Sequence, residues 1–268
     1  FNRRERLRRD ISDADGNGSI TCDASHPCFS ASGKGASAKI YTAGEALQSI
    51  ATAREGASAR VYSNLYSAAD LAAAAERVNS SQSPASGWSF ALAKEIDLSG
   101  TEFEPFRGPL LPDGKSRSGF SGSFDGRGHR IDGLVLNIPS EENVGLFGLT
   151  ANALIERVSV VDANISGWAG VGALVGYLGA GSEVRECFST GSVVGNYQVG
   201  GLIGEAYRAR ISDSYSEATI AGTRFVGGVV GFLGLKSSAE RILNVGMVNG
   251  NEISGGVAGR NRFGRLSD

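Results

Sequence analysis

Residues 144–259 contain one short phrase five times: Val144-Gly145-Leu146-Phe147-Gly148, then blocks opening at Val171, Val199, Val226 and Ser254, the third reading Val199-Gly-Gly-Leu-Ile-Gly204. Their first residues are separated by 27, 28, 27 and 28 positions. A period held this closely is the signature of stacked structural units, each unable to bury its apolar face without its neighbours. A second set of alternating positions follows each of the first four blocks: Ile155, Val158, Val160; Val184, Cys187, Ser189; Ile211, Ser214, Ser216; and Ile242, Val245, Met247. Both sets alternate with period 2, which predicts strands rather than helices. About 28 residues at roughly 3.3 Å per strand residue make one coil of short strands and turns. The expected fold is therefore all-β, a parallel β-helix (β-solenoid). Gly167, Gly195, Gly222 and Gly250 end the repeats, and glycines at fixed corners are expected to supply positive φ there.

Composition agrees. Of 268 residues 39 are glycine and six proline, without the every-third-residue glycine of collagen. The net charge of −2 gives no reason to expect a nucleic-acid partner. Five arginines (Arg3, Arg4, Arg6, Arg8, Arg9) crowd the first ten residues and read as a solvated or docked tail. The longest apolar candidate, Val226–Leu235, is too short and too glycine-broken for a membrane span. With no initiator Met and no signal peptide, the chain reads as processed or as a piece of a longer one.

Upstream of the repeats, Phe120, Phe124, Ile131 and Leu134 alternate around Asp125-Gly126, as in a hairpin-like or first-coil strand pair. Phe90–Leu98 reads as a strand. Ser67–Val78 opens like a capped helix, and Thr42–Arg54 reads as a second helix. The expected organisation is an arm over residues 1–39, a small helical N-terminal cap over 40–90, and the solenoid over 91–268 with its regular repeats from about 144.

These residues resemble the GLUG-repeat family of bacterial surface and secreted proteins. The resemblance runs from about Val61 to Gly259 and includes Ser67–Leu71, Ile96–Gly100 and the Phe-x-Gly-x-Phe-Asp-Gly-x-Gly-His-x-Ile stretch from Phe120 to Ile131. It implies a parallel β-helix of adhesin-like exoproteins, also found beside the catalytic domains of some immunoglobulin A peptidases. The repeats are not the catalytic part there, and no His-Glu-x-x-His motif occurs here, so no peptidase activity carries over.

Three features are candidates for chemistry. Asp13, Asp15, Asn17, Ser19 and Thr21, with Gly18 between, have the alternating oxygens of a calcium loop. Ala24 stands where such loops place their last acidic ligand, and an ion-free turn is the alternative. Cys22 and Cys28 are close enough for a small disulfide ring; zinc with His26 would lack a fourth ligand nearby. Cys187 reads as a buried small side chain. The third feature is the variable triplet before each block. It supplies Trp168, Tyr197, Arg224 and Phe225, which stacked coils would set in a strip suited to sugar rings or a protein partner. Asp125 and His129 are expected to be structural, and Glu156, Glu186, Asp213 and Glu217 form no evident acid–base pair. The chain is thus expected to be noncatalytic and extracellular or surface-bound. It would act as an adhesin-like module for a carbohydrate or protein ligand, or as a filament subunit binding copies of itself. The alternative is a polysaccharide lyase or glycoside hydrolase on the same scaffold.

Overall fold

The computed structural model describes residues 61–81 and 87–267, together with the backbone of four short strands at 19–20, 29–30, 39–40 and 48–51. The chain divides into two units, residues 1–64 with 89–91, and residues 65–88 with 92–268. In the first, Gln48–Ala51 lies antiparallel to Ser19–Ile20 and to residues 61–63, while Phe29–Ser30 pairs with Lys39–Ile40. Within the helix expected over 42–54, residues 48–51 are therefore strand; the rest of that stretch lies outside the described residues. Pairing on both edges satisfies the backbone of this strand, and tertiary context overrides an alanine-rich propensity.

The second unit is the parallel β-solenoid. Its first column of strands is Phe147–Thr150, Val175–Leu178, Ile203–Ala206, Val230–Leu233 and Ala258–Asn261. The second is Gly122–Asp125, Leu154–Glu156, Glu183–Arg185, Arg210–Ser216, Ser238–Asn244 and Arg265–Ser267. A third runs through Val135–Asn137, Ser159–Ser166, Phe188–Val194, Thr219–Gly227 and Val248–Gly255. The fourth begins with Glu142–Val144, Ala169–Val171 and Tyr197–Gly200 and continues in the far halves of the last two long strands. Neighbours within each column are parallel and nearly in register, so like residues stack. Val144, Val171, Val199 and Val226 form one buried ladder, and Phe147, Val175, Ile203 and Val230 another.

Residues 122–125 and 130–132 pair parallel with 154–156 and 159–161, so the Asp125-Gly126 stretch is a coil corner and not a hairpin. At this end of the solenoid the core is aromatic. Phe147 lies 5.0 Å from Phe106 and 5.2 Å from both Phe120 and Phe124. Helix α1 (Ala68–Ser80) is capped by Ser67, whose hydroxyl accepts from the Asp70 amide. It buries Leu71, Ala74, Ala75 and Val78, one stripe at helical spacing. The Asn79 side chain donates to the Pro105 carbonyl and accepts from the Arg107 amide, tying α1 to the loop that carries Phe106.

The repeat glycines act sterically, which corrects the expectation of positive φ. A Cβ on Gly204 would lie 2.3 Å from the backbone of Gly170 and Val171; Gly231 and Gly259 meet Gln198 and Phe225 of the preceding coil in the same way. A Cβ on Gly200 would lie 2.1 Å from the Ile203 carbonyl, and one on Gly201 2.1 Å from Ser216 Oγ. Left-handed backbone at the corners is carried mostly by other residues, including Asn143, Gln198, Phe225, Arg157, Glu186, Asp213 and Arg241.

One register also differs from expectation. Ile211 pairs with Ala239 and Ser214 with Ile242, so Ile242, Val245 and Met247 do not continue the Ile211 column. Ala239 is the buried member, whereas Val245 and Met247 are exposed. Hydrophobicity pointed to the wrong residues because the last coils turn apolar side chains outward.

Candidate ligand-binding surface

The variable triplets occupy the turns that lead into the fourth column. Main-chain bonds hold them coil to coil: the Trp168 amide donates to Glu141, Asn196 and Tyr197 donate to the Trp168 carbonyl, and Thr223 and Arg224 donate to the Asn196 carbonyl. Trp168 (45% exposed) and Tyr197 (38%) stand on consecutive coils with ring centroids 6.0 Å apart and planes tilted by 54°. They form one amphipathic patch.

Phe225 does not extend it. Tyr197 pairs in register with Arg224, while Phe225 takes the left-handed corner position, φ 60°. Its ring packs 5.8 Å from Phe232, and the guanidiniums of Arg224 and Arg260 lie 5.0 and 4.9 Å from its centroid. Such cation–π contacts offset the cost of an aromatic residue in this conformation, about 1–2 kcal/mol. Arg224 also faces Glu252 at 3.4 Å. The expected four-residue strip is thus two clusters, Trp168 with Tyr197 and Phe225 with Arg224.

Two aromatic sets escaped the sequence reading. Phe188 and Tyr215, in register on neighbouring coils, stack at 4.9 Å with planes 8° apart. The residues after the last glycine of each block, Leu149, Tyr177, Glu205, Phe232 and Arg260, form the outward row of the first column. Alternation read back from the strand end would have located this row, because an inward Thr150 or Leu178 requires an outward Leu149 or Tyr177 one residue before it.

The carboxylates are held between coils. Arg157 donates to Asp125 through Nε (3.1 Å) and Nη2 (2.5 Å), Arg185 donates to Glu156, and Arg241 donates to Asp213 at 2.5 and 2.7 Å. The Arg241 hydrogen bond holds the Asp213 carboxyl below the usual carboxylate range. His129 is half-buried, its amide donating to the Gly126 carbonyl within the corner. Cys187 is fully buried, and loss of solvent pushes its thiol up to about 12. Among the described residues no group of three or more His, Cys, Asp or Glu could hold a metal ion. The calcium-loop residues Asp13, Asp15, Asn17 and Thr21, the side chain of Ser19, and the Cys22–Cys28 pair lie outside the described residues. Among those described, no helix is long and apolar enough to cross a membrane.

Comparison with known proteins supports the repeat assignment. Residues 195–221 match the family described as the GLUG motif, one full coil from corner glycine to third column. An alignment 126 residues long, covering 43% of the chain, is 35% identical to halomucin from Haloquadratum walsbyi and spans about 1% of that protein's length. The fold is similar to a crystal structure from Bacteroides ovatus named as a candidate immunoglobulin A1 protease. Their TM-score is 0.63 at 20% identity, covering 76% of this chain and 67% of that one, a likeness of fold.

Proposed function

We propose that the chain is a noncatalytic module of a cell-surface or extracellular protein that binds glycans through Trp168 and Tyr197, in the manner of an adhesin. The observation that carries this reading is the exposed ring pair, fixed on successive coils by main-chain bonds so that little freedom is lost when a ligand stacks on it. The GLUG motif and the similarity to halomucin support a surface location. The noncatalytic part rests on the carboxylates: Asp125, Glu156 and Asp213 are each committed to an arginine of the next coil. Affinity electrophoresis against neutral polysaccharides tests the reading. The double variant W168A/Y197A should lose about 2 kcal/mol of binding, roughly 30-fold, while stability stays within about 0.5 kcal/mol. Equal retardation of parent and variant would remove the aromatic site. New reducing ends or unsaturated products in the same incubations would replace this reading with the polysaccharide-active enzyme.

A further inference from the structure

At the corner where the chain passes from the first column to the second, the surface opens into a groove of about 870 Å³. Arg208, Arg210, Lys236 and Arg265 line it, and among the described residues Glu183 is its one carboxylate and Phe263 its one aromatic ring. Arg208 and Lys236 hold the left-handed corner position on consecutive coils, φ 53° and 56°. Arg210 and Arg265 lie in the adjoining row of the second column, in the register Glu183, Arg210, Ser238, Arg265. Main-chain bonds fix the corner: Gly181 donates to Arg208, Arg208 to Leu235, and Lys236 to Phe263. The positive charges are thus carried on three consecutive coils with a rise of about 4.8 Å per coil.

These cations differ from the other arginines of the second column. Arg157, Arg185 and Arg241 each hold a carboxylate of the preceding coil. All four groove cations are exposed, and among the described residues none has a carboxylate within ion-pair distance. Counting its described lining residues, the groove carries a surplus of three positive charges on a chain whose net charge is −2. Charge concentrated in a cleft against an acidic background attracts a complementary anion selectively.

We propose that this groove binds an acidic polysaccharide, a glycan bearing sulfate or carboxylate groups, laid along the solenoid axis. The rise per coil is close to the length of one sugar unit in an extended chain, so successive coils meet successive units. A nucleic-acid duplex fits less well. It carries one charge per ~1.7 Å of axis, and most of that charge would face the net-acidic surface beyond the groove. The inference shares the surface-module reading but uses a different edge from Trp168 and Tyr197.

Retention of the whole chain on dextran sulfate, polygalacturonate, neutral dextran and duplex DNA, each at low and moderate salt, tests it. The parent should bind at least one of the two acidic glycans, salt-sensitively, and neutral dextran at least tenfold more weakly. R208Q/R210Q/K236Q should weaken acidic-glycan binding at least tenfold. Gln198 already occupies a left-handed corner here, so this variant is expected to fold, which its far-UV circular dichroism checks. R241Q, whose arginine pairs with Asp213 and does not line the groove, should bind acidic glycans as the parent does; loss of neutral-glycan binding in W168A/Y197A is read separately, so failure of the groove would leave the aromatic reading standing. The inference is overturned if neither acidic glycan binds, if the triple variant binds as tightly as the parent, if R241Q loses as much, or if duplex DNA binds more tightly than both glycans.

Discussion

Replacing Gly204 by alanine is expected to destabilise the solenoid by on the order of 3 kcal/mol or more, the upper end of overpacking costs. The added carbon would lie 2.3 Å from backbone atoms of Gly170 and Val171. Those atoms belong to the preceding coil and cannot turn aside as the tip of a long side chain can. The fourth column of one coil and the first column of the next would have to separate, weakening the pairing of Ile203–Ala206 on both sides. Because stability in a solenoid is a sum over units and their interfaces, the damage should begin in the coils around residues 170–230. Urea denaturation measures the loss, and limited proteolysis locates the first cut. Gly256→Ala is the matched control: it too is a glycine of a repeat block, but its added carbon meets nothing within 4 Å. It should change stability by less than about 0.5 kcal/mol. If the two substitutions cost the same, close coil packing is not what the block glycines provide.

Phe147→Ala should cost about 3–5 kcal/mol, the range for truncating a fully buried aromatic side chain. Phe147 touches three rings at once, stacked on Phe106, tilted against Phe120 and edge-on to Phe124. Two of these partners enter by loop and corner segments rather than long strands, so a cavity here also loosens what seats them: Phe106 is fixed by its amide to Leu146 and its carbonyl to Gly148. Phe147→Leu should cost clearly less, since the same position on later coils is filled by Val175, Ile203 and Val230. Chemical denaturation followed by tryptophan fluorescence separates the two variants. Equal stability of Phe147→Ala and the parent would show that the ring cluster does not hold the first coils.

The scaffold was legible because it is periodic. A buried Val199 requires a buried Val171 and Val226 above and below it, and parallel pairing in register turns that requirement into a visible spacing. Legibility fell wherever two residue types could fill one position. Ala239 was overlooked for the more apolar Ile242, since alanine is small enough to be buried without looking apolar in context. The glycines announced themselves, but their role did not: composition cannot tell a glycine needed for φ from one needed because a neighbouring backbone passes 2.3 Å from its missing Cβ.

The surface was less legible still. Trp168 and Tyr197 meet although they sit at different places in their triplets, while Phe225 turns into the corner toward Phe232. The strands stay in register, Ala169 against Tyr197 and Tyr197 against Arg224, so the Trp168–Tyr197 contact is diagonal and no single repeat column contains it. The basic groove gave no local signal at all. Arg208, Lys236 and Arg265 are separated by roughly a coil each, and their sum appears only once the coils are stacked.

The account rests on one coil being the structural unit, and deleting one coil tests that most directly. Val171 and Val199 are partners in adjacent coils, so removal of residues 172–199 joins Val171 to Gly200 in the setting that Gly172 occupied. This deletion should give a folded, cooperatively unfolding protein with the parent's β-rich circular dichroism. Removing residues 172–185 instead, half a coil, should throw every later strand out of register and leave the chain unfolded or aggregated. If the whole-coil deletion is as disordered as the half-coil deletion, the stacked-coil account is contradicted.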